Sequence, residues 1–92
     1  EPEEPITLAG LARQAAMSPY HFLRTFCAVS GTTPYQFLLS QRLRRAAVRL
    51  RQTTDPISAI AYEAGFGDLS TFNRRFRRII GTTPGVWRSR RP

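Results

Sequence analysis

The sequence contains no lysine, one cysteine, one histidine and only six acidic residues among its 92 positions. A single cysteine excludes an internal disulfide framework and a cysteine-based zinc site. One histidine with no cluster of acids or cysteines lacks the pattern of a catalytic centre, so we predict no enzymatic activity, no metal and no cofactor. No apolar run approaches the roughly 18 residues of a membrane-spanning helix, and no signal peptide is apparent. We therefore expect a cytoplasmic protein with no membrane partner.

Arginine dominates the charge. All fourteen basic residues are arginines, and the formal net charge is +8. Half of the acids lie in the opening EPEEP, whose prolines and carboxylates are typical of a linker. We therefore interpret residues 1–5 as a linker and the chain as a piece of a longer protein. The remainder is strongly basic, which predicts a polyanionic partner, with DNA as the first candidate.

Hydrophobic periodicity and capping residues predict an all-α fold. The first helix starts after Thr7, and Ser18-Pro19 starts the second, which ends at Gly31. The third is predicted from Pro34 to about Gln52, followed by a loop over 53–56. Ile57, Ile60, Ala61 and Ala64 repeat the apolar spacing of the first helix and predict a fourth. Asp68 is predicted to cap a fifth helix that ends at Gly81, and a short sixth helix follows. No segment has a convincing strand pattern.

The chain also repeats itself. GTTP occurs at 31–34 and again at 81–84, and Phe22, Arg24 and Phe26 recur fifty residues later as Phe72, Arg74 and Phe76. Each copy consists of a short helix, a tight turn and a second helix, which is a helix-turn-helix. Gly65 suits the second turn, but Ala16 stands at the equivalent place in the first. Since alanine tolerates a left-handed conformation poorly, we expect the first turn to be shaped differently.

The second helix of each copy, residues 19–30 and 69–80, is the predicted recognition helix. The phenylalanines of each copy, together with Val29, are predicted to point inward. Asn73 can bind adenine and Arg74 guanine, each through two hydrogen bonds. In the first copy Arg24 is the best reader of a base or phosphate. The predicted base-reading set is Tyr20, Leu23, Arg24, Leu69, Ser70, Thr71, Asn73 and Arg74.

Several of these positions have a second interpretation. Ser70 and Thr71 could instead cap the helix or face solvent, and Tyr20 could pack on a neighbouring helix rather than contact a sugar or a thymine methyl group. Leu23 can read only an apolar surface. His21 is expected to be buried or to face a phosphate, and Asp68 is expected to cap rather than read. The arginines predicted to contact the DNA backbone are Arg42, Arg75, Arg77, Arg78 and Arg88.

The third helix explains the repetition. Its predicted 19 residues span about 28 Å, comparable to the roughly 34 Å between successive major-groove faces on one side of a duplex. One chain could then read two adjacent major-groove segments. The predicted division is a linker over 1–5, a first helix-turn-helix subdomain over 6–33, a connecting helix over 34–52, and a second subdomain with a basic end over 53–92.

The stretch GFGDLSTFNRRFRRIIGTTPGVWR resembles the DNA-binding domain of the AraC/XylS family of bacterial transcription regulators, and the resemblance covers residues 6–88. Further residues that match the family pattern are Ser18, His21, Phe22, Arg24, Phe26, Gly31, Pro34, Arg42, Leu43, Ala46, Ile57, Ile60 and Ala61. The resemblance implies a homeodomain-like fold with two helix-turn-helix subdomains joined by a long central helix.

The same resemblance implies a function and partners. The function is sequence-specific binding of promoter or operator DNA by an activator or repressor in the bacterial nucleoid. RNA polymerase is the implied protein partner, and any effector ligand is bound by a domain outside this chain. The base-reading positions of the family correspond to the eight residues given above. Family domains usually carry a further helix where this chain has EPEEP, so the first subdomain is expected to expose apolar surface or to rely on a segment outside this chain.

Two other functions compete with DNA binding. A protein-interaction module would contact polymerase through its arginines and would show little salt-sensitive affinity for duplex DNA. An RNA-binding module would expose stacking aromatic side chains, whereas most aromatic residues here have the spacing of buried ones.

Overall fold

Six helices form the part of the chain that the structure describes, and most of them begin at a capping side chain. The computed structural model describes residues 7–90, and every regular element in that range is a helix. The helices are α1 (Leu8–Gln14), α2 (Pro19–Ser30), α3 (Pro34–Gln52), α4 (Ile57–Glu63), α5 (Leu69–Ile80) and α6 (Pro84–Ser89). The predicted all-α fold is confirmed, and the predicted linker over 1–5 lies outside the described residues. Within residues 7–90, no helix is long and apolar enough to cross a membrane.

Local hydrogen bonds account for these boundaries. The side chains of Thr7 and Ser18 accept hydrogen bonds from backbone N–H groups of the first turns of α1 and α2, as N-caps do. Gly31 and Gly81 end α2 and α5 with φ angles of 77° and 100°. These left-handed conformations favour glycine, so the second helix of both copies ends in the same way.

α3 runs through two compact units. The first unit comprises the described residues 7–40 and the second comprises 41–90, so the boundary falls inside α3. In the first unit α1 packs against α2, and in the second unit α5 packs against α4 and α6. Each unit therefore contains one helix-turn-helix, and α3 connects the two.

The turns of the two copies have the same shape, which corrects the expectation for the first turn. Ala16 has a φ of 57° and Gly65 a φ of 95°, both left-handed. The backbone N–H of Met17 donates to the Ala12 carbonyl at 2.9 Å, and that of Phe66 donates to the Ala61 carbonyl at 3.1 Å. Both are the bond of a Schellman motif. The helix-turn-helix therefore imposes a left-handed residue even where the sequence supplies alanine.

Replacing Ala16 with glycine is expected to stabilise the protein. A left-handed alanine costs roughly 1–2 kcal/mol, and the added backbone freedom of glycine in the unfolded chain offsets part of this. We expect a net gain of about 0.5–1 kcal/mol, measured as a higher urea midpoint by circular dichroism. Ala15→Gly is the matched control, because Ala15 has a φ of −87° and is not strained. A gain no larger for Ala16→Gly than for Ala15→Gly would contradict the argument.

The core of the second unit is closed. Phe72 and Phe76 are completely buried, and their ring centroids are 5.6 Å apart. Leu43 and Leu50 of α3 and Ile60 of α4 are also buried, each with at most 1% of its surface exposed. The phenylalanine positions predicted to face inward in α5 are therefore confirmed, and they fix which side of α5 is presented to solvent.

The core of the first unit is open. No residue of α2 is fully buried; Phe22 and Phe26 are only half-buried, and Val29 is 84% exposed. The predicted inward face is therefore wrong for Val29 and only partly realised for the phenylalanines. Apolar side chains line an open groove, here called the α2 groove: Leu11, Ala15, Phe22, Phe26, Phe37 and Leu38. The expectation that the first subdomain exposes apolar surface is confirmed.

Candidate nucleic-acid interface

The outward surface of α5 combines arginine with short polar side chains. A helix turns about 100° per residue, so the residues opposite Phe72 and Phe76 face solvent. Four predicted base-reading residues are exposed there, and the fifth, Thr71, is half-buried. The exposed four are Leu69, Ser70, Asn73 and Arg74. This surface offers the donor and acceptor groups that recognise adenine and guanine in a major groove.

Asp68 holds the beginning of α5. Its carboxylate accepts hydrogen bonds from the Thr71 backbone N–H at 2.7 Å and from the Thr71 hydroxyl at 2.9 Å. These two bonds, with a smaller electrostatic contribution from Arg74, hold the pKa of the Asp68 carboxyl below its ordinary value. Asp68 is therefore the cap that the sequence predicted. Thr71 takes part in the cap as well, which is the alternative interpretation of that residue.

The outward surface of α2 is formed by three predicted readers of different chemistry. Tyr20 is 68% exposed, Arg24 is exposed and Leu23 is half-buried. The Arg24 guanidinium carbon lies 5.6 Å from the centre of the Tyr20 ring, a cation–π contact that the sequence analysis missed but that the i, i+4 spacing could have indicated. His21 is exposed, so its buried interpretation is wrong. His21 and Thr25 line a shallow concavity with Tyr20 and Arg24.

Arg88, one of the predicted contacts to the DNA backbone, is engaged by the protein itself. Its Nε donates to the Leu50 carbonyl at 2.9 Å, and its Nη2 donates to the Asp55 carbonyl at 2.6 Å. The Leu50 carbonyl is one of the acceptors that the last turn of α3 leaves without helical partners, and Asp55 lies in the loop that follows. Arg88 therefore fastens α6 to the end of α3 and to this loop, and its contact with the DNA backbone stays a prediction.

Two further arginines of α3 have structural partners. The Arg51 guanidinium carbon lies 3.4 Å from the centre of the Trp87 ring, and the Trp87 indole N–H donates to the Ala47 carbonyl at 2.9 Å. Arg49 forms ion pairs with Asp55, at 2.7 Å, and with Glu63. Part of the arginine content thus holds the second unit together rather than facing a partner.

The remaining arginines predicted to contact the DNA backbone differ in exposure. Arg77 and Arg78 are exposed on α5 beside the readers, and Arg75 is half-buried on the same helix. Arg42 is half-buried and lines a concavity with Arg49 and Glu63 beside α4. The structure thus brings three of the predicted phosphate contacts onto the helix that carries the second set of readers.

Residues 11–90 match the sequence profile of a family described as "Helix-turn-helix domain". Together with the two helix-turn-helix units, this match decides the family. The chain belongs to the AraC-type helix-turn-helix family of DNA-binding transcription regulators.

Curated AraC-type and related regulators are similar over nearly the whole chain. The Regulatory protein ada of Salmonella typhimurium is 41% identical over 96% of this chain, which covers 25% of that protein. The transcriptional activator RclR of Escherichia coli is 40% identical over 91% of the chain, which covers 30% of that protein. The chain thus spans between a quarter and a third of the length of these relatives.

Solved AraC-type structures share the fold. The DNA-binding domain of AdpA, solved in complex with a target DNA, is 30% identical, with a TM-score of 0.86 over 94% of this chain and 78% of that one. An AraC-type regulator from Chromobacterium violaceum is 29% identical, with a TM-score of 0.86 over 92% of this chain and 76% of that one. The fold of this AraC-type domain, two helix-turn-helix subdomains joined by a long helix, is thereby established.

Residues 7–90 of this AraC-type domain include no group of three or more His, Cys, Asp or Glu side chains that could hold a metal ion. Its arginines differ in their surroundings. Arg49, Arg51 and Arg88 bind protein groups, whereas Arg74, Arg77 and Arg78 are exposed along α5 and Arg24 is exposed on α2. The exposed arginines of these two helices have the chemistry to meet a polyanion.

Proposed function

We propose that this chain binds double-stranded DNA sequence-specifically, with α2 and α5 reading adjacent major-groove segments. The observation that carries the proposal is the surface of α5. Asn73 and Arg74 are exposed opposite a fully buried phenylalanine pair, and Asp68 caps the helix end that enters the groove. Such a helix can present base-reading side chains without loss of its packing.

The length of α3 supports tandem reading. Its 19 residues span about 28 Å, comparable to the roughly 34 Å repeat of the duplex. A single chain would then do what many helix-turn-helix proteins do as dimers. The proposed base-reading residues are Tyr20, Leu23, Arg24, Leu69, Ser70, Thr71, Asn73 and Arg74, and the proposed backbone contacts are Arg42, Arg75, Arg77 and Arg78.

We also propose the setting of this activity. The domain acts as the non-enzymatic DNA-binding part of a regulator in the bacterial cytoplasm, at the nucleoid. RNA polymerase is its proposed protein partner, and an effector ligand would be bound by a domain outside this chain. Support comes from the AraC-type family and from relatives that are three to four times as long as this chain.

Selection of binding sites from a random duplex library at near-physiological salt tests the proposal. We expect two short boxes about one helical turn, roughly 34 Å, apart. A single box would contradict tandem reading. Salt-sensitive binding without enrichment would mean that specificity requires a part of the regulator outside this chain. No duplex binding would overturn the proposal in favour of a protein-interaction module.

Arg74→Ala is expected to change base specificity, whereas Arg78→Ala is expected to change only the overall affinity for DNA. Arg74→Ala should lower affinity for the selected site by roughly 1–3 kcal/mol and relax one base position. Arg78→Ala should weaken all sequences alike, because a phosphate contact carries no sequence information. Repeating the selection with each variant distinguishes these outcomes. If the two variants shift specificity equally, the assignment of Arg74 as a reader is wrong.

A further inference from the structure

The side chains of α2 restrict which bases it can recognise. The helix consists of PYHFLRTFCAVS and therefore contains no Asn, Gln, Asp or Glu. The amides bind adenine through paired hydrogen bonds, and the carboxylates accept from the amino group of cytosine. His21 and Thr25, which lie beside Arg24, offer one polar atom each to a base edge and cannot form the paired adenine contact. The one side chain of α2 suited to bidentate recognition is Arg24, whose partner is guanine.

The other two predicted readers of α2, Tyr20 and Leu23, have largely apolar side chains. Leu23 is half-buried, so part of its side chain is accessible, and Tyr20, three residues earlier, is 68% exposed. Residues three and four apart on a helix are neighbours, so Tyr20 adjoins both Leu23 and Arg24 and lies between the apolar side chain and the cation. The Tyr20 ring also holds the Arg24 guanidinium at 5.6 Å, which orders the cation beside an apolar surface. In α5 the residues equivalent to Tyr20 and Leu23 are Ser70 and Asn73, which are polar.

The 5-methyl group of thymine is the apolar feature that a base edge presents in the major groove. We infer that α2 reads a guanine through Arg24 and the methyl group of an adjacent thymine through Leu23, with Tyr20 completing the apolar contact. This inference rests on the proposed function and adds the base chemistry of the first box. The first unit thus combines one hydrogen-bonded guanine with a methyl group, whereas the second recognises mainly hydrogen-bonding groups.

Replacing single thymines by deoxyuridine tests the inference on the selected duplex. This change removes the methyl group and leaves the hydrogen-bonding groups in place. We expect one thymine of the first box to weaken binding about fourfold, the effect of removing one buried methylene-sized group, while thymines between the two boxes have no effect. Binding of the full chain is measured by fluorescence anisotropy at constant salt.

Variants of Leu23 then identify the side chain responsible. Leu23→Ala should bind the thymine and uracil duplexes equally, so a double-mutant cycle shows coupling between side chain and methyl group. Val29→Ala is the matched control, because Val29 lies on the same helix, is 84% exposed and borders the apolar side that faces away from the readers. It should preserve the fourfold ratio. Leu23→Gln, a second variant that keeps the length of the side chain, should also abolish the ratio and favour adenine at that position.

The outcomes separate this inference from the function on which it rests. Two results would overturn the methyl-reading inference alone, provided that the complex remains site-specific and salt-sensitive. In the first, no methyl group of the first box affects binding. In the second, Leu23→Ala and Leu23→Gln both preserve the ratio of thymine to uracil affinity. Failure of the chain to bind any duplex overturns both. Loss of the ratio in both Leu23 variants, with circular dichroism unchanged, establishes Leu23 as the residue that reads the methyl group.

Discussion

The affinity of this chain for its duplex site is expected to fall by about 10³-fold or more when salt rises from 50 to 200 mM, if about six phosphates are engaged. The reason is the distribution of charge. α5 carries four arginines and no acid, and the described part of the first unit, residues 7–40, contains no carboxylate. Each phosphate neutralised by an arginine releases condensed counterions, so the logarithm of affinity should fall linearly with the logarithm of salt concentration.

Individual arginines should contribute unequally to that slope. Arg78 is exposed, so Arg78→Ala should reduce the slope by about one. Arg88 binds the Leu50 and Asp55 carbonyls, so Arg88→Ala should leave the slope unchanged and instead lower the free energy of unfolding by roughly 1–3 kcal/mol, as acceptors lose their donor. Anisotropy titrations at five or more salt concentrations give the slopes, and urea unfolding gives the stabilities. If both variants reduced the slope of log affinity against log salt concentration equally, Arg88 would also contact the DNA backbone.

The helices and their ends could be predicted from the sequence because local interactions determine them. Ser18, Asp68 and Gly31 act within four residues of their own position, so their effects are visible in a short window. The same holds for the side of α5 that is buried, since a repeat of phenylalanines four apart specifies it. This geometry predicts which positions of α5 are exposed, and the chemistry of Asn73 and Arg74, together with the family resemblance, predicts which of them read bases.

The roles of individual arginines could not be predicted, because they depend on residues distant in the chain. Arg88 binds carbonyl groups 38 and 33 positions earlier, and Arg51 stacks on an indole 36 positions later. Charge and spacing are the same for an arginine that faces a phosphate and one that closes a helix end. Only the packing of α6 within the second unit shows which arginines bind protein groups.

The conformation of Ala16 was missed for a related reason. Local preference disfavours a left-handed alanine, but the hydrogen bond from Met17 to Ala12 is made only when the chain turns in this way. The repeat itself contained the necessary signal, since Ala16 stands where the second copy has Gly65. The correspondence of Ala16 with Gly65 therefore predicts the left-handed conformation better than the local preference of alanine does.

Replacing Phe76 and its equivalent in the first copy, Phe26, by alanine should have very different effects on the free energy of unfolding. Phe76 is completely buried and its side chain packs on Phe72, so Phe76→Ala leaves a cavity in a closed core. Such substitutions cost about 3–5 kcal/mol, a large fraction of the 5–15 kcal/mol typical of a folded domain. Phe26, its equivalent, is half-buried and lines the open α2 groove, so Phe26→Ala should cost less than half as much.

The single tryptophan makes the comparison measurable. Trp87 lies in the second unit, where its indole N–H donates to the Ala47 carbonyl, so its fluorescence reports unfolding of that unit, while circular dichroism reports both. Phe76→Ala should shift the fluorescence transition to much lower urea concentrations, and Phe26→Ala should change it little and produce only a modest shift by circular dichroism. Equal losses would mean that Phe26 is buried as fully as Phe76 in solution. A half-exposed ring in an open groove has less contact area to lose than a ring enclosed on every side. Equal losses would therefore show that the α2 groove is closed.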